Sequence, residues 1–267
     1  MLGNITIGQY FPGDSLLHRM DPRTKILATL IYIVAIFFAQ TVVSYLFVTA
    51  FTVWVIWLSK LPVRLLWNAL KPLWIIIVFT LAIHVFTSTG TVLWQWSFIH
   101  ITKEGLQMGV LMTARLVYLI LFSSLLTYTT SPIRLTDGIE RLLRPFQRLG
   151  VPSHELAMMM TIALRFIPTL LEETDRIMKA QESRGADFTT GSLVKRAKSM
   201  VPLLVPLFIS AFRRADDLAV AMEARCYRGG EGRTRMKELC YTRLDTVSMS
   251  ILILVVLIIL VMRFYAV

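Results

Sequence analysis

The chain has no phosphate-binding loop of the form G-x-x-x-x-G-K-[ST], so any ATP hydrolysis linked to it belongs to another subunit. It is poor in the residues that metal binding and nucleophilic catalysis need. Its 2 cysteines, Cys226 and Cys240, form no disulfide framework and read as reduced thiols facing the cytosol. The 4 histidines, His18, His84, His100 and His154, are scattered without metal-ligand spacing. No serine or cysteine stands beside an evident base, and no aromatic-basic pattern of a nucleic-acid binder is present. The first 25 residues carry Asp14, His18, Arg19 and Asp21, too polar for a cleavable signal peptide. Charge is scarce: 17% of residues are charged and 55% are apolar, with a mean hydropathy of +0.63. That excludes an ordinary soluble domain.

What charge there is, net +11, is concentrated. Residues 131–243 hold 19 Lys/Arg and 13 Asp/Glu. The pattern is that of an all-α membrane protein in three parts: spans over 1–130, a charged helical module over 131–243, and a last span over 244–267. Apolar runs place five spans at Ile26–Ala39, Val42–Leu58, Leu73–Phe86, Leu106–Leu126 and Val247–Val261. The runs are short, which implies tilt or polar flanks. Trp54, Trp57, Trp67, Trp74, Trp94 and Trp96 fall near span ends, as interfacial aromatics do. Arg19, Arg23, Lys25, Lys60, Arg64, Lys71 and the 131–243 block fall on one side, Lys103 and Arg263 on the other. The positive-inside rule then predicts a cytoplasmic N-terminus, a cytoplasmic 131–243 module and an external C-terminus.

Within the module, Ser131-Pro132 starts a short helix to about Leu149, stopped by Gly150 and Pro152. A long helix follows from Ser153 and Glu155 to Arg184, with Pro168 as a kink and Gly185 just past its end. Another runs from Ser192 to Arg225, with Pro202 and Pro206 expected to interrupt its first half. A flexible basic loop is expected at Arg228–Arg233. Both long helices are apolar early and charged late, so they read as lying at the membrane boundary. Met159, Met160, Leu164, Leu204 and Phe208 are the positions expected to pack against an apolar partner, or one helix against the other.

The ends of these two helices repeat. Glu182-Ser183-Arg184-Gly185 and Glu223-Ala224-Arg225-Cys226 lie 41 residues apart, and at that offset Asp175 also matches Asp216 and Ala180 matches Ala221. One arginine at a helix C-terminus is ordinary complementation of the helix dipole. Two in the same Glu-x-Arg setting point to docking, because a guanidinium offers a rigid five-donor fork to carboxylates and carbonyls. Arg115, near the middle of the fourth span, is an intramembrane charge with no acidic residue at comparable depth. Asp216-Asp217 could hold magnesium in a membrane-embedded enzyme, but a second acidic motif is missing and a solvated helix face beside Arg213 and Arg214 accounts for the pair.

The run Pro12-Gly13-Asp14-Ser15-Leu16-Leu17-His18-Arg19-Met20-Asp21-Pro22-Arg23-Thr24-Lys25 resembles the opening motif of the transmembrane T components of energy-coupling factor transporters. Ala163–Pro168 and Arg213–Arg225 are similar to two further motifs of that family, and the resemblance covers essentially the whole chain. The family's paired Ala-Arg-X signatures fall on Ser183-Arg184-Gly185 and Ala224-Arg225-Cys226, departing at Ser183 and Cys226, both small. The resemblance implies a non-catalytic scaffold in a prokaryotic cell membrane. Two ATP-binding-cassette subunits, which carry the ATP and magnesium, dock on the two helix ends. A small integral membrane S component binds a vitamin or other micronutrient. A cobalt or nickel importer of the same class is the alternative. No cofactor is expected on this chain.

Overall fold

The structure is a computed structural model that describes residues 10–88, 91–96, 99–188, 192–229 and 238–265. In chain order it comprises α1 (Leu16–Arg19), α2 (Pro22–Phe38), α3 (Val42–Ser59), α4 (Val63–Leu70), a 3-10 turn (Lys71–Leu73), α5 (Trp74–Thr87), β1 (Val92–Trp96), β2 (Ile99–Thr102), α6 (Lys103–Thr129), α7 (Pro132–Leu143), a second 3-10 turn (Arg144–Leu149), α8 (Ser153–Glu182), α9 (Leu193–Ala224) and α10 (Arg243–Tyr265). Among the described residues the fold is helical apart from one small antiparallel hairpin, β1–β2, which the sequence did not lead us to expect. Two compact units divide the chain: one formed by residues 8–138 with 239–267, the other built on residues 139–238.

The first unit is a bundle of α2 to α6 with α10. Its centre holds Tyr32, Ile36, Val48 and Ile259, and the Tyr32 ring stacks on Phe122 with centroids 3.8 Å apart. The outside of the bundle is equally apolar: Leu30, Leu46, Ile75, Phe79 and Leu254 are each more than half exposed. Side chains of this kind facing outward on long helices are what a hydrocarbon solvent requires, since helices satisfy their backbone groups internally. Val42–Ser59, Val63–Thr87, Lys103–Thr129, Ser153–Glu182 and Arg243–Tyr265 are long and apolar enough to cross a membrane. The chain is a multi-pass membrane protein.

This set differs from the expected five spans at two places. Helix α2 has 17 residues and begins at Pro22, so Arg23 and Lys25 sit in its first turn rather than before it. Helix α8, expected at the membrane boundary, is long and apolar enough to cross, though it is the least apolar of the set.

Polar caps fix where the bundle helices begin. Asp21 caps α2 by accepting from the Arg23 N–H, with Pro22 at the first helical position, where a missing N–H costs nothing. Thr41 caps α3 through the Ser44 N–H, and Thr102 caps α6 through the Gly105 N–H at 3.1 Å. Gly105 is required by close packing: a Cβ there would lie 2.9 Å from the His84 carbonyl oxygen on α5.

The N-terminal motif turns out to be a structural knot. Buried Asp245, at the start of α10, accepts from the Asp21 N–H at 2.8 Å and from the Thr242 N–H and hydroxyl. Arg23 donates to Asp21 and to the Leu239 carbonyl at 2.7 Å. Buried Lys25 donates to the Thr129 carbonyl at 2.9 Å and the Thr130 hydroxyl, at the end of α6. Three helix termini are thereby tied by hydrogen bonds that water cannot replace.

The second unit contains α8 and α9, joined through residues 183–192. Helix α9 is continuous through Pro202 and Pro206, so the expected interruption is absent. The two prolines stand four residues apart, on one side of the helix, so the carbonyls they leave without a donor share that side. Leu203, between them, is buried at 4% exposed. Helix α8 likewise continues through Pro168. The short helix from Pro132 ends in the 3-10 turn, which closes on Gly150 at φ 88°. Of the basic loop expected at Arg228–Arg233, residues 230–233 lie outside the described residues.

Candidate partner-docking site

The two repeated helix ends have the same backbone. After α8, the Gly185 N–H donates to the Glu182 carbonyl at 2.9 Å and the Ala186 N–H to the Gln181 carbonyl at 3.0 Å. After α9, the Cys226 N–H donates to the Glu223 carbonyl at 2.9 Å and the Tyr227 N–H to the Met222 carbonyl at 3.0 Å. This pair of bonds is the Schellman ending, in which a left-handed residue turns the chain and satisfies the last carbonyls. Gly185 supplies the left-handed residue at φ 86°, and Cys226 does so at φ 55°. A side chain in that region is strained, so the second end keeps its geometry against a cost of about 1–2 kcal/mol. Both arginines sit just before the left-handed residue, at the same step of the same turn.

Every residue expected to dock a partner is exposed: Glu182, Ser183, Arg184 and Gly185 at one end, Glu223, Ala224, Arg225 and Cys226 at the other. The apolar positions behave similarly. Met159, Met160, Leu204 and Phe208 are 55%, 42%, 50% and 61% exposed, and Leu164 is half-buried. On α9 they belong to a longer stripe, Met200, Val201, Leu204, Val205, Phe208, Ile209 and Phe212, each half or more exposed at helical spacing. An uncovered apolar stripe of this length marks a contact with protein or lipid.

Other candidates resolve into structure. Arg115 donates to the Tyr45 hydroxyl and to the Ala39 carbonyl, both at 3.1 Å, and its guanidinium lies over the Phe37 ring. It therefore sits level with the turn between α2 and α3, at one end of those helices, where neutral acceptors hold its charge. Asp216 and Asp217 are exposed, and among the described residues no group of three or more His, Cys, Asp or Glu gathers as a metal site.

Two interactions escaped the sequence reading. Arg214 on α9 donates to Glu173 on α8 at 2.9 Å. The 41-residue offset held a clue, since these two are equivalent positions of opposite charge. His154 at the start of α8 meets Glu140 at 3.2 Å and the Tyr227 hydroxyl at 3.1 Å. No local pattern signals a pairing across 73 residues. Because Tyr227 reaches the first turns of α8, the second of the two repeated helix ends lies beside the root of that helix. The first lies at its far end, about 40 Å away at 1.5 Å per residue.

Comparison with known proteins agrees with this architecture. The sequence pattern of the family described as Cobalt transport protein, CbiQ, matches residues 13–236. A protein of Acidaminococcus fermentans named energy-coupling factor transporter transmembrane protein EcfT is 64% identical over 248 residues, covering 93% of this chain and 92% of the relative. Proteins of the same name from Ruminiclostridium cellulolyticum and Bacillus subtilis are 58% and 49% identical, covering 94% and 96% of this chain and 94% and 98% of the relatives. With a resemblance of this depth along nearly its whole length, the chain belongs to the family of energy-coupling factor transporter transmembrane proteins.

Proposed function

We propose that this chain is the coupling scaffold of an importer whose ATP and magnesium are held by two separate ATP-binding-cassette subunits. One subunit docks at Glu182–Gly185 and the other at Glu223–Cys226. An integral membrane S component packs on the apolar stripes of α8 and α9, around Met159, Met160, Leu164, Leu204 and Phe208. Closure of the ATPase pair displaces the two helix ends, and the helices carry that displacement to the S component. The 139–238 unit faces the cytoplasm, where ATP is available.

The observation that carries this reading is the duplicated helix end. Two matching turns, each presenting an exposed arginine, suit a pair of related but non-identical partners. Arginine suits the role because its planar fork recognises carboxylates and carbonyls in a groove. The transported class is a vitamin or similar micronutrient selected by the S component. A cobalt or nickel version of the same scaffold is the second reading, favoured by the family description Cobalt transport protein. The names of the high-identity relatives contain no metal, which favours the first. Uptake assays with the reconstituted complex, comparing vitamins with divalent cobalt and nickel, separate the two.

The docking reading is tested by Arg184→Glu, Arg225→Glu and the double variant, with co-purification of the ATPases and substrate uptake measured together. Each charged hydrogen bond lost from a buried contact costs about 2–5 kcal/mol. Attachment at two points makes loss of one survivable, because the remaining contact keeps the other at high effective concentration. Either single change is expected to reduce uptake more than assembly, and the double change to release the ATPases. Full ATPase binding and normal uptake by the double variant would overturn the reading.

A further inference from the structure

A tyrosine fastens the second helix end to the root of α8. Tyr227, immediately after Cys226, brings its hydroxyl to 3.1 Å from His154 Nε2 and 2.9 Å from Met158 Sδ, both in the first turns of α8. The other ring nitrogen of His154 lies 3.2 Å from Glu140 Oε1 on α7. The His154 and Glu140 side chains are 15% and 14% exposed, so the bridge is sheltered from water. In the first end the residue equivalent to Tyr227 is Ala186, whose methyl group can make no such bond.

The bridge tolerates either protonation state of the histidine. When the ring is neutral, Nδ1–H donates to Glu140 and Nε2 accepts the tyrosine hydroxyl. When it is charged, both N–H groups donate and the hydroxyl turns its proton to Met158. Arg225 thus stands two residues from a joint of α7, α8 and α9, whereas Arg184 projects from the opposite end of α8.

We propose that Glu140, His154 and Tyr227 are positioning residues that make the Arg225 end the one through which an ATPase subunit moves α7 and α8, while the Arg184 end chiefly attaches its subunit. This rests on the docking reading above. A partner that pulls on Cys226 and Tyr227 must either carry the root of α8 with it or break the contacts of the Tyr227 hydroxyl with His154 and Met158. Carrying it along delivers the displacement to the helix that bears Met159 and Met160.

The test uses the reconstituted full complex, with ATP hydrolysis and uptake measured in the same proteoliposomes. Tyr227→Phe keeps the ring and removes the hydroxyl, His154→Leu removes the bridge, and His154→Gln restores an amide donor and acceptor. The expected result is ATPase binding and hydrolysis within about twofold of the unaltered complex. Uptake per ATP falls about fivefold or more for Tyr227→Phe and His154→Leu, the factor that one lost hydrogen bond represents. His154→Gln recovers part of the loss. Unchanged uptake per ATP in both disabling variants overturns the relay. Loss of ATPase binding by Tyr227→Phe also overturns it, because the hydroxyl would then belong to the docking contact. If the unaltered chain holds no ATPase at all, the docking reading fails, and the relay fails with it.

Discussion

Glu173 and Arg214, joined by a hydrogen-bonded ion pair at 2.9 Å, are 41 residues apart, the same separation as Arg184 and Arg225. The pair therefore joins equivalent positions of the two repeated segments. Arg184 follows Glu173 by eleven residues, and Arg225 follows Arg214 by eleven. Each of these two arginines stands the same helical distance, about 16 Å, beyond the point where the two helices are pinned. Two lever arms of equal length suit a pair of related partners that move together.

That pin is expected to be modest in energy and specific in register. The two side chains are 34% and 29% exposed, so solvent screening limits the pair to about 1 kcal/mol or less. A double-mutant cycle with Glu173→Ala and Arg214→Ala, read by thermal unfolding in detergent, should return a coupling of that size. The charge exchange Glu173→Arg with Arg214→Glu should recover most of the stability lost in either single reversal. Additive effects across the cycle would show that the two helices are held by apolar packing alone.

The two left-handed residues make opposite predictions. At φ 55°, Cys226→Gly relieves about 1–2 kcal/mol of backbone strain and adds about 0.5–1 kcal/mol of unfolded-state entropy cost, a net gain of about 0.5–1 kcal/mol. Gly185→Cys, at φ 86°, reverses the balance and lowers stability by a similar amount. Thermal unfolding of the two variants beside the unaltered protein reads the difference. Stabilisation by both, or by neither, contradicts the shared Schellman geometry.

Apolar positions on the two long helices should be sensitive to charge in the complex rather than in the isolated chain. Met159 and Leu204 are 55% and 50% exposed, so Met159→Asp or Leu204→Asp leaves the packing within the chain itself unchanged. Covered by an apolar partner, the same carboxylate is buried unpaired at a cost of several kcal/mol. The S component should fail to co-purify while the ATPases remain bound. Retention of both partners would place these positions against lipid headgroups or water.

Exposed Cys226 offers a topology test without an added reporter. With the 139–238 unit in the cytoplasm, an impermeant thiol reagent should leave this cysteine unmodified in intact cells and modify it in inverted vesicles that carry the chain without ATPase subunits, with Cys240→Ser as background. Modification from outside would reverse the orientation derived from loop charge.

Much of the fold was legible in the amino-acid order. Apolar runs near Val42–Leu58 and Val247–Val261 have no stable place in water, so their length and composition alone identified them as membrane-crossing helices. Gly185 and the matching Glu-x-Arg pattern marked the helix ends, because helix termination is settled by residues within one turn. Pro202 and Pro206 do not break α9 as expected, because a proline removes one hydrogen bond but the rest of a 32-residue helix keeps its own.

Tertiary structure decided what meets what. That Lys25 closes the end of α6 through the Thr129 carbonyl, that Arg115 rests on Ala39 and Tyr45, and that Tyr227 reaches His154 depend on chain segments separated by 70 residues or more. A sequence records which side chains carry donors and acceptors. Only the packing of whole helices sets which of them come within 3 Å, because that distance follows from crossing geometry rather than from any local pattern. The sequence by itself determined a membrane protein with two matched helix ends. The fold determined that the second of those ends is tied through Tyr227 to the root of its neighbour, because that contact depends on how two whole helices pack.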